Sequence, residues 1–181
     1  MNQKSPTIGI RPWQLEDAPA LAQLMNNRKV WNNLRDFIPQ PYALKDAHFF
    51  IEMCQGQQPA QNYAITLDGE VAGGIGCVRQ PDVERVSVEI GYWLGEPFWG
   101  RGIGTTAVSL WLDYLYGIYP EAHRIFAGVY SSNPASMRVL QKNGFRSEGI
   151  WKEAILKNGA LLDVHLYAIL RPEWKKQRPE R

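Results

Sequence analysis

Two periodicities alternate along the chain. Thr7-Ile8-Gly9-Ile10-Arg11 reads as a short strand. Ala18, Leu21, Ala22 and Met25 then recur at the spacing of one helical face, with Glu16 or Asp17 placed to cap that helix. Residues 32 to 42 break the pattern, and Pro39 and Pro41 exclude a helix there. Leu44, Ala47, Ile51 and Cys54 restore the helical spacing over residues 44 to 54. The middle of the chain then changes period. Residues 63 to 67 and 71 to 78 read as strands joined at Asp68-Gly69, a strong hairpin signal. From Arg85 to Leu94 apolar and other residues alternate strictly, Val86, Val88, Ile90, Tyr92 and Leu94 sharing one side, as in a third strand.

Glycines cluster next, at 95, 100, 102 and 104. A helix follows, with Ile103, Ala107, Leu110, Trp111 and Tyr114 on one face. Residues 124 to 129 are mostly apolar on both sides, as in a central strand. Pro134 to Asn143 fits a short helix with Asn133 at the N-cap, Pro134 at its first position and Gly144 as its stop. Two last strands flank Asn158-Gly159, and residues 172 to 181 read as a charged, mobile tail. The order β-α-α-β-β-β-α-β-α-β-β predicts one α/β domain over residues 7 to 171, a mixed sheet with helices packed on it.

Composition narrows the function. The chain has 181 residues, 45% hydrophobic, with 20 basic against 18 acidic side chains, a net charge of +2. That is ordinary globular chemistry without the dense basic face expected of a duplex binder, so no nucleic-acid partner is expected. Cys54 and Cys77 form no CxxC pair, and His48, His123 and His165 show no metal spacing. The three histidines read as structural or surface residues, and no metal is expected. The opening Met1-Asn2-Gln3-Lys4-Ser5-Pro6 carries no apolar signal core, and no apolar run is long enough for a span. A soluble, cytoplasmic protein away from membranes is the expectation, and exposed tryptophans among the seven would favour a homodimer.

The sharpest local signal is Trp99-Gly100-Arg101-Gly102-Ile103-Gly104-Thr105-Thr106, between a strand and a helix. Glycines let the main chain approach a ligand closely, and the first amides of a helix lack internal partners at the positive end of its dipole. Together they make a site for a phosphate or diphosphate. Arg101 could add a charge-assisted contact and the Thr105 hydroxyl another bond. The bland alternative is a ligand-free turn. The nucleotide loop GxxxxGK[ST] is absent. Gly102-x-Gly104-x-x-Ala107 matches the dinucleotide fingerprint, but Gly95-Glu96-Pro97-Phe98-Trp99 intervenes after its strand, and the preceding strands are hairpin-joined rather than part of a βαβ unit.

Three segments together resemble the GNAT-type N-acetyltransferases, and within them the RimJ/RimL (ribosomal-protein N-terminal acetyltransferase) subgroup. They are Glu89-Ile90-Gly91-Tyr92-Trp93-Leu94 running into Phe98 to Gly104, Asn133-Pro134-Ala135-Ser136 through Gly144-Phe145, and the run ending Pro39-Gln40-Pro41-Tyr42. The family loop is Q/R-x-x-G-x-G/A. Gly102 and Gly104 match its last anchors, while Trp99 stands where the polar residue would be.

The resemblance implies a mostly antiparallel sheet with helices on both faces and two parallel central strands, here residues 85–94 and 124–130, splayed around acetyl-CoA. It implies direct transfer of acetyl from acetyl-CoA, as co-substrate, to a primary amine. Cofactor contacts fall on Tyr92, Trp93, Leu94, Trp99, Gly100, Arg101, Gly102, Ile103, Gly104, Thr105, Asn133 and Ser136, with Lys142 as a further candidate for a phosphate contact. Such a transfer needs a neutral amine, an oxyanion donor and an acid for the leaving sulfur. An α-amino group is about one-tenth neutral at pH 7, a lysine side chain only about once in a few thousand molecules. A protein N-terminus therefore asks less of the base, with small amines as rival acceptors. Glu89 is the first candidate for base and Glu153 the competitor; the bland reading of Glu89 is an ion pair with Arg79 or Arg85. Ser136 is a candidate acid, with Tyr130 as its rival. The oxyanion donor would be a main-chain amide within residues 92 to 94. Trp31, Trp93, Arg35 and Asp36 are candidate acceptor contacts. Two other readings stay open, a catalytically idle acetyl-CoA sensor and a dinucleotide-dependent oxidoreductase.

Overall fold

The strands are β1 (Ile8–Pro12), β2 (Asn62–Leu67), β3 (Glu70–Arg79), β4 (Ser87–Leu94), β5 (Arg124–Tyr130), β6 (Arg146–Lys157) and β7 (Ala160–Leu170). They form one sheet in the order β1-β2-β3-β4-β5-β7-β6. The sheet is mostly antiparallel, with β4 and β5 parallel. Six helices accompany it: α1 (Ala18–Met25), α2 (Arg28–Trp31), α3 (Leu44–Gln55), α4 (Ile103–Ile118), α5 (Pro134–Lys142) and α6 (Arg171–Gln177). This computed structural model describes residues 6–178, so Met1 to Ser5 of the opening stretch and the last three residues of the expected tail lie outside the described residues. Among the described residues no helix is long and apolar enough to cross a membrane. The chain divides into two compact units, residues 1–76 with 92–111 and residues 77–91 with 112–181.

In the first unit β2 and β3 meet at Asp68 and Gly69, with φ of 52° and 92°. Two successive left-handed residues give the turn whose twist suits a tight hairpin, as the Asp-Gly pair predicts. Trp13, Leu21, Met25, Ala47, Ile51, Cys54, Ala64 and Val71 form the buried cluster under α1 and α3. Trp13 and Phe50 meet edge to face at 5.9 Å. Two expectations need correction. Leu44 lies at the first position of α3 and is 49% exposed, so the apolar face begins at Ala47. Asp17 stands at the N-cap of α1, but its side chain does not cap that helix. Its carboxylate accepts from Arg11 at 2.6 and 2.8 Å and from the Gln14 amide at 2.9 Å.

In the second unit β5 buries Ile125, Ala127 and Val129, leaves Gly128 exposed and has a partner strand on each side, as expected of a central strand. Asn158 and Gly159 turn β6 into β7 with φ of 50° and 79°. The stretch expected to begin a mobile tail is instead helix α6, docked on the far end of α4. Arg171 donates to the carbonyls of Ala122 at 2.7 Å, Tyr119 at 2.6 Å and Tyr116 at 3.2 Å. Its guanidinium also lies 4.5 Å from the Tyr116 ring centre. Trp174 stacks on Tyr116 at 4.7 Å and donates to Asp113. A helix leaves its last carbonyls without internal partners, and one planar cation here serves the carbonyls at the end of α4 and just beyond it.

Candidate functional site

In the first unit β4 ends at Leu94 and a short 3-10 turn, Glu96–Phe98, leads into the glycine loop. The Gly95 amide donates to the Ala72 carbonyl at 2.9 Å, and the Trp99 indole donates to the Leu94 carbonyl at 2.8 Å. Trp99 thus fastens the loop back onto the strand, filling the place of the polar side chain in the family pattern. Gly100 and Gly102 have φ of 72° and 77°, and a Cβ at either position would meet nothing within 4 Å. These glycines are required by conformation, and the space beside them is open. Ile103 is buried and begins α4; the first bond of the helix runs from the Thr106 amide to the Gly102 carbonyl at 3.2 Å. Among the described residues no turn or cap bond draws on the amides of residues 100 to 104. Undrawn amides, open space and the positive end of a 16-residue helix fit an anionic diphosphate. The Arg101 guanidinium lies 6.0 Å from the Phe98 ring centre and its side chain is exposed.

Trp93 is half-buried against the core cluster of this unit. The backbone of Trp93 and Leu94 approaches β3 so closely that a Cβ on Gly73 would fall 2.1 Å from the Trp93 carbonyl oxygen. Its indole lies just as tightly against Gly74, where an added Cβ would be 2.7 Å from Nε1. That packing holds the half-buried Trp93 against β3. Trp31 ends α2 and donates from its indole to the Ile38 carbonyl at 2.8 Å, with Arg28 stacked on its ring at 4.9 Å. It therefore folds the loop that carries Arg35 and Asp36. In the same loop Gln40 Oε1 is buried and accepts no hydrogen bond. Sequence reasoning missed Glu96, which accepts from Asn27 at 2.8 Å and pairs with Lys29. A lone carboxylate 67 positions from its lysine leaves no spacing to read.

In the second unit β4 and β5 pair in parallel through three steps, Ser87 with Arg124, Val88 with Ile125 and Glu89 with Phe126, although β4 runs on to Leu94 and β5 to Tyr130. Glu89 is half-buried at the last paired step. Arg79 pairs with Glu121, and Arg85 donates to the Asp82 carbonyl at 3.0 Å. Glu153 stands at φ 47° in an irregular, exposed stretch of β6, where its amide donates to Asp163. Between β4 and β6 lie β5 and β7. Three inter-strand steps set Glu153 about 14 Å across the sheet from Glu89. Asn133 caps α5 as expected: its Oδ1 accepts from the Ser136 amide at 3.1 Å, which fixes Ser136 in the first turn. Cys54 and Cys77 are buried, and desolvation pushes both thiols up to about 12, so neither is a thiolate nucleophile near neutral pH.

A glycine cradle that opens a helix and, in the other unit, a short parallel strand pair can each be compared with known proteins. The family model for the acetyltransferase (GNAT) domain matches residues 7–146. This chain belongs to the GNAT family of N-acetyltransferases. The acetyltransferase is 32% identical to the probable N-acetyltransferase YjcK of Bacillus subtilis, over 94% of this chain and 97% of that one. It is 35% identical to the ribosomal-protein-serine acetyltransferase of Escherichia coli, over 82% and 84% respectively. Its fold is similar to Mycobacterium smegmatis RimJ in complex with CoA-disulfide, with a TM-score of 0.81, 26% identity and coverage of 96% and 84%. GNAT enzymes use acetyl-CoA, so the acetyltransferase takes acetyl-CoA and an amine. The family assignment replaces the oxidoreductase and idle-sensor alternatives.

Proposed function

We propose that this acetyltransferase modifies the N-terminal amine of a protein, by direct attack on acetyl-CoA in a ternary complex. The observation that carries the donor half is the open, left-handed glycine pair ahead of α4, whose amides await an anion. The diphosphate of acetyl-CoA lies on residues 100 to 104, and its thioester arm follows β4. The acceptor half rests on the relative whose name specifies ribosomal-protein serine, and on the greater neutral fraction of an α-amine at pH 7. Fold alone does not choose the amine.

Glu89 takes the proton from the attacking amine, directly or through one water. The amine nitrogen bonds to the thioester carbon, and a main-chain amide of residues 92 to 94 holds the oxyanion. The carbon–sulfur bond then breaks, and the sulfur receives its proton from Ser136, with Tyr130 as the alternative donor. Glu89 is preferred to Glu153 because it belongs to the strand that leads to the glycine loop, whereas two strands lie between β4 and the strand of Glu153. Asn133 holds Ser136 in place and contacts the CoA moiety.

The test follows thiol release from acetyl-CoA with peptides bearing free N-termini, beside polyamines and amino acids. Glu89→Gln should lower kcat about 100-fold at neutral pH and leave CoA affinity within about twofold. Equal loss of both would refute the base role, and faster turnover on small amines than on any peptide would refute the acceptor.

A further inference from the structure

Two segments of the first unit are tied together at one carboxylate. Glu96 opens the 3-10 turn that delivers the chain into the glycine loop. Its Oε2 accepts from Asn27 Nδ2 at 2.8 Å, and its Oε1 pairs with Lys29 Nζ. Asn27 is also the N-cap of α2, its Oδ1 accepting from the Lys29 amide at 2.8 Å. Helix α2 ends at Trp31, whose indole holds the Ile38 carbonyl. Asn26 Oδ1 accepts from the Tyr42 amide at 3.3 Å, closing the far end of the same loop. Residues 26 to 42 are thus a strap secured at both ends, and the Lys29–Glu96 pair ties it ionically to the turn ahead of the glycine loop. The strap also carries Gln40, whose Oε1 is buried and accepts no hydrogen bond within the protein.

We propose that Glu96 is a positioning residue that couples the two loops, so that filling the glycine loop with CoA orders residues 32 to 42. The inference rests on the diphosphate reading above and goes beyond it. A ligand that stiffens residues 100 to 104 also stiffens the turn ahead of them, and the Glu96 contacts pass that restraint to Asn27 and Lys29. Coupling of this kind is reciprocal, so an occupied strap would favour CoA in return. The two bonds to Glu96 favour its ionised form and hold its carboxyl below the usual range, so the tie is charged throughout the neutral range. Burial contributes little to it.

Hydrogen exchange of the full chain with and without CoA tests the coupling without knowledge of the acceptor. In the wild type CoA should slow exchange about threefold or more in both residues 100–105 and residues 32–42. In Glu96→Gln, which keeps an acceptor for Asn27 but loses the ion pair, protection at 100–105 should remain and protection at 32–42 should fall to less than half. The exchanged pair Lys29→Glu with Glu96→Lys should restore it. A merely structural Glu96 would lower melting temperature and leave the ratio of the two protections unchanged. Protection at 100–105 alone in the wild type overturns the coupling and spares the diphosphate site. Protection at neither segment overturns the diphosphate site itself. Equal protection in the wild type and Glu96→Gln overturns the role of this carboxylate.

Discussion

Replacing Gly102 by Ala separates backbone strain from ligand contact. The residue sits at φ 77°, and a methyl group there would touch nothing. No clash contributes, so the cost to folding is conformational. An L-residue in the left-handed region costs about 1–2 kcal/mol, and the reduced freedom of the unfolded chain returns about 0.4–1 kcal/mol. The net is about 1 kcal/mol, or about 2–4 °C in Tm for a chain of this size. The same change at Gly117 should have the opposite sign. Gly117 is exposed near the end of α4, has ordinary helical φ, and its added methyl also meets nothing. Helix propensity then gives about 0.5 kcal/mol of stabilisation, less than the mid-helix value because the end frays. Binding is the second axis. If the loop amides hold a diphosphate, moving one charge-assisted bond out of line costs about 1.5–3 kcal/mol, which is about 10- to 150-fold in CoA affinity. Gly117→Ala should leave CoA affinity unaltered. Urea unfolding and calorimetric titration with CoA measure the two axes separately. Unchanged stability of Gly102→Ala would refute the strain argument, and unchanged CoA affinity would refute the cradle.

Two further outcomes are expected. Arg171→Ala should destabilise the chain by about 3 kcal/mol or more in urea, because three carbonyls lose a charged donor and Tyr116 loses its cation; Arg171→Lys should recover only part, and a loss under about 1 kcal/mol would contradict the role given to Arg171. Burial of Asp17 opposes its ionisation, but bonds from Arg11 and the Gln14 amide outweigh that and hold its carboxyl below the ordinary value. Its stabilising contribution is therefore complete above its unfolded pKa of about 4 and is lost as pH falls through the lower folded value; stability measured from pH 6 down to pH 2 should fall less steeply in Asp17→Asn than in the wild type.

Much of this architecture is legible in local signals. Asp68-Gly69 and Asn158-Gly159 mark turns because left-handed pairs admit few residue types. Left-handed Gly100 and Gly102 mark the loop for the same reason, and Asn133-Pro134 announces the start of α5. Failures occur where a distant partner decides. Lys175, Lys176 and Arg178 give the final stretch the composition of a solvated tail, yet Arg171 and Trp174 anchor it as a helix. Asp17 resembles a cap until Arg11 draws off its carboxylate. Four-residue α2 is too short for any period to register, and its order comes from Asn27 and Glu96. The register of β6 shifts around Glu153, between Trp151 and Ile155, where no residue pattern announces it.

The carbonyls that Arg171 serves are made long before it. Tyr116 leaves the site of synthesis 55 residues ahead of the guanidinium that completes its hydrogen bonding. A nascent chain can therefore wind α4 from its glycine-rich beginning while the opposite extremity stays hydrated. During synthesis, closure of that extremity by Arg171 waits until residue 171 has been made.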